Sequence, residues 1–406
     1  MKIGIITYYR VPNFGANIQA LSTYHFLLKR GYEPIMIHFM SPSLYKFSNT
    51  FEGPLDQKKA HIDFVDRNFP LQTTVCYTNE EIEHVISSNQ IHNIIIGSDA
   101  VVQHHPLFER MHYDGDCHRH FRIDYMPPEQ MFPSVFWGVG LPANLKKVMM
   151  SVSSQNSKYQ YFLPTLKKKM RDSLSQFSYI SARDEWTQKM FQSILGYKVP
   201  ITPDPVFAFN QNCAEFVPTE NKIRTIFELK RDYVLICLRS QCLSEIILQE
   251  LKDLFLKYNI DCVALPMPTG IMFKHPFDFE ISSPLSSDLW YGLIKYARGY
   301  IGSNMHPIIV SLHNAVPCFS LDDWINYNFW NKAQDDGSSK VEHIMKEFNV
   351  QDYRRTIVNG VCSVSPSELV NSILNFPIEN VQKIARKKYF EYSAMMYNIL
   401  SNLVLL

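Results

Sequence analysis

The strongest constraint on the fold is a repeated alternation of short apolar runs with stretches of helical spacing. Residues 2–8 are apolar and β-branched, which reads as a buried strand. A loop with Pro12 and Gly15 follows. Residues 16–30 then carry Ile18, Leu21, Phe26 and Leu27 at helical spacing, with Gly31 as a stop signal. Residues 34–39 read as the next strand. Strand, helix and strand in this order imply parallel pairing through a right-handed crossover.

The alternation continues. Helices are expected at 80–87, 159–175 and 184–195, and strands at 92–96, 135–139, 148–151, 179–182 and 199–201. A polar stretch, 210–231, interrupts it. A second series follows, with strands at 233–238, 261–265, 299–302 and 317–320 and helices at 243–257, 287–297 and 305–313. The tail, 380–403, is one long helical pattern. At 406 residues the chain exceeds one ordinary core. The expected organisation is an α/β domain over 1–209, a second over 210–379, and a terminal helix over 380–406. The fold class is α/β, with two doubly wound Rossmann-like domains facing a central cleft.

Ligands of such sheets sit beyond the carboxyl ends of the strands. Asn13, Gly15, Ser98, Asp99, Arg183, Asp204, Arg239 and residues 303–306 all fall there. The net charge is +1, from 40 basic and 39 acidic residues. No field of one sign recruits nucleic acid or anionic lipid, so an anion must be held by a local cluster. One basic patch, Lys167, Lys168, Lys169 and Arg171, is small enough to be a solvated helix face, or could weakly attract an anionic membrane. The eight cysteines form no CxxC pair, and several lie in apolar runs, as expected of a reduced cytoplasmic protein. No run approaches the roughly 18–20 apolar residues of a membrane span. The first residues read as a strand rather than a signal peptide.

The segment Tyr300-Ile-Gly-Ser-Asn-Met-His306-Pro reads as a strand end, a Gly302-Ser303-Asn304 turn and a helix start. A histidine there sits beside unpaired backbone N–H groups and the positive end of the helix dipole. That suits anion binding and proton transfer. His313, two turns on, reads as core. Arg183 could grip a carboxylate or phosphate with two hydrogen bonds, or pair with Asp184 or Asp204. Arg239 follows a strand. Lys340 follows Asp336-Gly-Ser-Ser339 and precedes a helical pattern. Asn17 and Gln19 could orient sugar hydroxyls or cap the first helix. Asp99 could accept a proton or cap the next segment. Asp204, between prolines, reads as a structural turn. The first loop has neither a dinucleotide fingerprint nor a phosphate-loop Gly-Lys-Ser/Thr.

Four stretches resemble the polysaccharide pyruvyl transferase family. They are Ile3-Gly-Ile-Ile-Thr with Asn13-Phe-Gly-Ala-Asn-Ile-Gln19-Ala-Leu, Ile95-Ile-Gly-Ser-Asp99, Ile180-Ser-Ala-Arg183-Asp with Thr202-Pro-Asp204-Pro, and Ser303-Asn-Met-His306 with Pro317. The resemblance implies the two-lobed GT-B architecture of glycosyltransferases. It also implies transfer of pyruvate from phosphoenolpyruvate onto two sugar hydroxyls as a cyclic ketal, with no metal or nucleotide cofactor. On this reading His306 is the general acid/base, assisted by Asp99. Arg183, Arg239, Lys340, Ser303, Asn304, Asn13, Gly15, Asn17 and Gln19 contact substrates. A cytoplasmic enzyme at the inner face of the membrane, with a lipid-linked acceptor, is compatible with it. Two departures stand out. Asn304 occupies a position where many members carry Arg and others Ser; if that Arg holds the donor phosphate, another cation must substitute here. Ala100-Val-Val-Gln-His-His lacks the Gln-Val-Trp of many relatives. Alternatives are a nucleotide-sugar glycosyltransferase of the same architecture, or a sugar-binding homologue without activity.

His104, His105, His112, Asp114, Asp116, Cys117, His118 and His120 fall within 17 residues. The residue types suit a transition metal, but the spacing matches no closed site. An acceptor-contacting loop is the expectation there.

Overall fold

The computed structural model describes residues 1–40, 45, 53–114, 120–127, 131–323, 326–327, 333–334 and 336–404. Five strands form the first sheet: β1 (Lys2–Ile6), β2 (Glu33–Met36), β3 (Asn93–Asp99), β4 (Lys146–Val152) and β5 (Phe177–Ala182). Their order is β2-β1-β3-β4-β5 and every pairing is parallel. Ile94, Ile95 and Ile96 are all fully buried, because helices cover both faces and leave no solvent side for alternation to mark.

The second sheet contains β6 (Asp232–Cys237), β7 (Ile260–Ala264), β8 (Phe279–Glu280), β9 (Gly299–Gly302), β10 (Cys318–Asp322) and β11 (Arg354–Thr356). Its order is β8-β7-β6-β9-β10-β11, again all parallel. The strand order reverses at β1 in one sheet and at β6 in the other. A doubly wound sheet opens its ligand crevice at that reversal. The crevices therefore lie beyond the ends of β1 and β3 and of β6 and β9.

Four helices shape the joint between lobes: α1 (Phe14–Leu28), α2 (Met305–His313), α3 (Lys340–Glu347) and α4 (Ile378–Val404). Every residue of α1 from Phe14 to Leu27 is buried. A helix enclosed on all sides lies inside a core and not on a surface. One apolar cluster runs continuously through it, from Ile3, Ile5 and Tyr24 to Phe207, Tyr233, Leu235, Ile309 and Leu312. The outer faces of the two sheets carry separate clusters, around Trp137 and Phe191 in the first lobe and Leu251 and Phe319 in the second. From the second lobe, α4 returns to the first. Ser151 Oγ lies 3.3 Å from Met395 Sδ, and Lys146 Nζ donates to the Leu403 carbonyl at 3.3 Å.

Three expectations change. The apolar run at 135–139 is not a strand: Val135–Trp137 forms a 3-10 turn closed by Gly138 at φ 80°. Its apolarity comes from inserting Phe136 and Trp137 into the outer-face core. The helix expected over 159–175 is split, because Pro164 opens the α-helix Pro164–Leu174 at a position where its missing N–H costs nothing. Residues 199–201 make a single bridge, Ala182 to Ile201, and no full strand.

Candidate active site

Three helix N-termini meet at the joint. The first is that of α1, whose N-cap Asn13 accepts a hydrogen bond from the Ala16 amide at 3.2 Å. The second is that of α2, whose N-cap Asn304 makes no capping bond; Pro307 in its first turn has no N–H to satisfy. The third is that of α3, capped by Ser339, which accepts from the Glu342 amide at 3.2 Å and donates to Asp322 Oδ2 at 2.5 Å. Asn13, Asn304 and Lys340 border one cavity of about 550 Å³, with Asp99, Arg239 and Met267 in the same wall. Each N-terminus contributes partial positive charge and outward N–H groups, worth about 0.3–1 kcal/mol apiece toward an anion.

His306 stands in the first turn of α2, partly open to this cavity. It packs closely against Gly15 of the other lobe: a Cβ at Gly15 would stand 2.0 Å from His306 Cγ and 2.4 Å from Nδ1. Only glycine permits that approach. The Nε2 atom is enclosed and makes no hydrogen bond within the protein. Burial holds the imidazole below its ordinary pKa; Asp204 and Asp99 pull it upward, and Arg183 and Lys340 push it down again. The resting ring is neutral at pH 7 and can accept a proton.

Beneath the histidine lies a buried charge cluster. Arg183 Nη1 donates to Asp204 Oδ2 at 2.8 Å, and Arg183 Nη2 lies 3.7 Å from Asp99 Oδ1. Burial alone would raise the Asp99 carboxyl, but Arg183 first, then His306 when it carries a proton, and Lys340 outweigh it and lower its pKa. Asp99 adopts φ 93°, a conformation a residue with a Cβ rarely takes. Its carboxylate accepts from the Ala100 amide at 2.7 Å. Lys340 is 8% exposed. Burial lowers its pKa to about 8, and Arg183 adds to the shift while Asp99, Asp184 and Asp204 oppose it.

The residues singled out from sequence divide into two groups. Asn13, Gly15, Asp99, Arg239, Asn304, His306 and Lys340 share the cavity wall. Arg239 lies at its rim, 3.3 Å from Asp323. Asn304 donates to Met267 Sδ at 2.6 Å, so a neutral amide stands at this point of the wall. Lys340 and Arg239 supply cations to the same wall. Arg183 does not line the cavity; it backs it, engaged with Asp204.

Asn17 and Gln19 do not reach the cavity. Asn17 Nδ2 meets His61 Nδ1 at 3.3 Å and Ser287 Oγ at 3.5 Å, and Gln19 is fully enclosed. The expectation that they orient sugar hydroxyls fails because α1 is covered by protein on every side. Ser303 is likewise 1% exposed and lies under the wall. Asp204 is more than a turn former: it caps the Val206 amide at 3.0 Å and is the main partner of Arg183. The sequence offered Asp184 and Asp204 as partners for Arg183, and the hydrogen bond goes to Asp204. Sequence reading missed Met267, Gln155 and Trp290 in the wall; Trp290 stacks on Phe14 with ring centroids 5.3 Å apart.

In the histidine-rich stretch, His105 Nδ1 lies 2.9 Å from Glu109, and His104 packs edge-on to Phe162. Asp116, Cys117 and His118 lie outside the described residues. Among the described residues no group of three metal-ligating side chains comes together, and no helix is long and apolar enough to cross a membrane.

Two lobes of parallel sheet, each contributing its crevice to one cleft, define the GT-B fold. Solved structures agree. A UDP-N-acetylglucosamine 2-epimerase from Neisseria meningitidis superposes with TM-score 0.56 at 11% identity, covering 98% of this chain and 99% of that one. A putative UDP-N-acetylglucosamine 2-epimerase from Listeria monocytogenes gives TM-score 0.53 at 11% identity, covering 100% and 97%. UGT89C1 of Arabidopsis thaliana gives TM-score 0.53 at 9% identity, covering 99% of each. At these identities the likeness is one of fold. No curated protein matches the chain in sequence. The polysaccharide pyruvyl transferase family model matches residues 13–323. The chain belongs to that family, which makes it a transferase with a sugar acceptor.

Proposed function

We propose that the protein transfers the three-carbon unit of phosphoenolpyruvate to two hydroxyls of a sugar, forming a cyclic ketal and releasing phosphate. The observation that carries this reading is His306 held at the meeting point of three helix N-termini, beside Lys340 and Arg239 in one cavity.

The helix N-termini, Lys340 and Arg239 would hold the donor's phosphate and carboxylate. Neutral His306 takes the proton of the first sugar hydroxyl as its oxygen bonds to the central donor carbon and the C=C π pair moves to the methylene carbon. The imidazolium so formed delivers a proton to the methylene carbon, which becomes the methyl group. Phosphate then leaves with the electrons of its C–O bond. The second hydroxyl attacks the resulting oxocarbenium, and its proton passes to the base or the departing phosphate. Asp99 stabilises the imidazolium and the cationic carbon through charge. No metal or nucleotide is required by this sequence of steps. The active form works in the cytoplasm, where phosphoenolpyruvate is made.

The test is incubation with phosphoenolpyruvate and candidate glycans, following phosphate release and the mass gain of the acceptor. Turnover is expected, and His306→Gln should lower it at least ~1,000-fold with the fold unchanged. No phosphate release with any acceptor, together with no thermal shift by phosphoenolpyruvate, would overturn the reading. The N. meningitidis neighbour is bound to UDP-GlcNAc; a thermal shift by UDP in place of phosphoenolpyruvate would point to nucleotide-sugar chemistry. Sugar binding without phosphate release would point to a non-catalytic homologue.

A further inference from the structure

Two segments leave the cleft and end together on the outer surface of the first lobe. One follows β3, starting at Asp99 in the cavity wall and reaching Leu107 and Phe108. The other follows β4, passing Gln155 in the same wall and reaching Tyr161 and Leu163. The Phe108 and Tyr161 rings lie 5.9 Å apart, and Glu109 accepts from the Lys158 amide at 3.0 Å, so the two segments are joined. Phe108 is 65% exposed and Leu163 68%. The strand pair Met111–Asp114 and His120–Ile123 extends this ridge, with Met111 opposite Ile123; Ile123 and the following Tyr125 are also exposed.

Large apolar and aromatic side chains clustered on a surface mark an interaction site. The helix Pro164–Leu174 starts directly after Leu163. It turns Met170 and Leu174 inward and leaves Lys168, Lys169 and Arg171 exposed, with Lys167 half-buried. With a whole-chain charge of only +1, this cluster of basic side chains around the helix is a local feature. Aromatic and aliphatic tips beside lysines match the boundary of an anionic bilayer: rings and alkyl groups enter the headgroup layer, and ammonium groups meet lipid phosphates.

We propose that this ridge and the adjoining basic helix dock the protein on an anionic lipid surface, holding the mouth of the cleft at the membrane. A sugar carried on a lipid would then reach the cleft without leaving the bilayer. That consequence rests on the pyruvyl-transfer reading; the lipid contact itself does not.

Flotation of the full chain with vesicles of phosphatidylcholine, alone or mixed with phosphatidylglycerol, tests the proposal. The protein should float with the anionic vesicles and release in raised salt. The K167Q/K168Q/K169Q variant should partition roughly 100-fold more weakly onto anionic vesicles. F108S/L163S should lose at least ~10-fold, with its melting temperature unchanged. No flotation with either vesicle, or equal flotation of the variants, would overturn the docking surface. So would dissociation of a native dimer by F108S/L163S, which would assign the ridge to self-association.

Discussion

Gly15 and His306 compete for space that any side chain at position 15 would fill, since a Cβ there would come within 2.0 Å of the ring. Gly15→Ala must displace the imidazole or part the lobes, a strain of about 1–3 kcal/mol. The expected outcome is a folded protein with kcat lowered at least ~100-fold, because a displacement of about 1 Å at the reacting groups costs that much; steady-state kinetics with a melting curve checks it. Two residues set the pH profile. His306 must be neutral to accept a proton, and burial keeps it so until the pH falls below the ordinary histidine value of 6.5. Lys340 loses its charge near pH 8. The profile of kcat/KM for phosphoenolpyruvate should therefore fall on the acid side below 6.5 and on the alkaline side above about 8. Lys340→Arg should remove the alkaline fall, because guanidinium keeps its proton. Stability runs the other way. The lysine binds its proton less tightly folded than unfolded, so its contribution to unfolding free energy rises between pH 8 and 10.5.

At the scale of elements, Asp204 caps the turn Pro205–Ala208 and also neutralises Arg183, which directly follows β5. Asp204→Ala would strand a buried guanidinium and should cost about 3–5 kcal/mol, read from denaturant unfolding. Asp99→Asn leaves the Arg183–Asp204 bond in place, so it should cost less stability than that while reducing turnover. The contrast separates a structural carboxylate from one beside the reacting groups. Much of this layout was legible in sequence. Strand ends were marked by apolar runs stopping at polar residues, and Asp99, Asn304 and His306 line the cavity wall. What was not legible depended on neighbours. Asn17 and Gln19 read as exposed polar positions on a helix, but α1 is enclosed by the other lobe. Phe136 and Trp137 read as strand because periodicity cannot tell a run that crosses a sheet from one that plugs its outer face. Which of Asp184 and Asp204 pairs with Arg183 needed their distances to it, which no local pattern contains.

The whole molecule has one core between its lobes and not merely one on each side. The shared cluster includes Tyr24 of α1, Tyr233 of β6 and Tyr392 of α4. Two-lobed chains commonly unfold in steps; here calorimetry should show a single transition, with calorimetric and van't Hoff enthalpies in agreement. Removing α4 from Ile378 onward should leave neither lobe folded, because Tyr392, Met396 and Leu403 fill that cluster; circular dichroism of the shortened chain checks this. The contact of Gly15 with His306 also bears on how such a protein can change over time. The histidine belongs to one half of the chain and the only residue that makes room for it to the other, so the halves are not interchangeable parts. A chimera that joins this first half to the second half of a relative would keep two intact sheets yet inherit a ring and a recess that were never fitted to each other. Its activity should return only when the residues around positions 15 and 306 are exchanged as a pair.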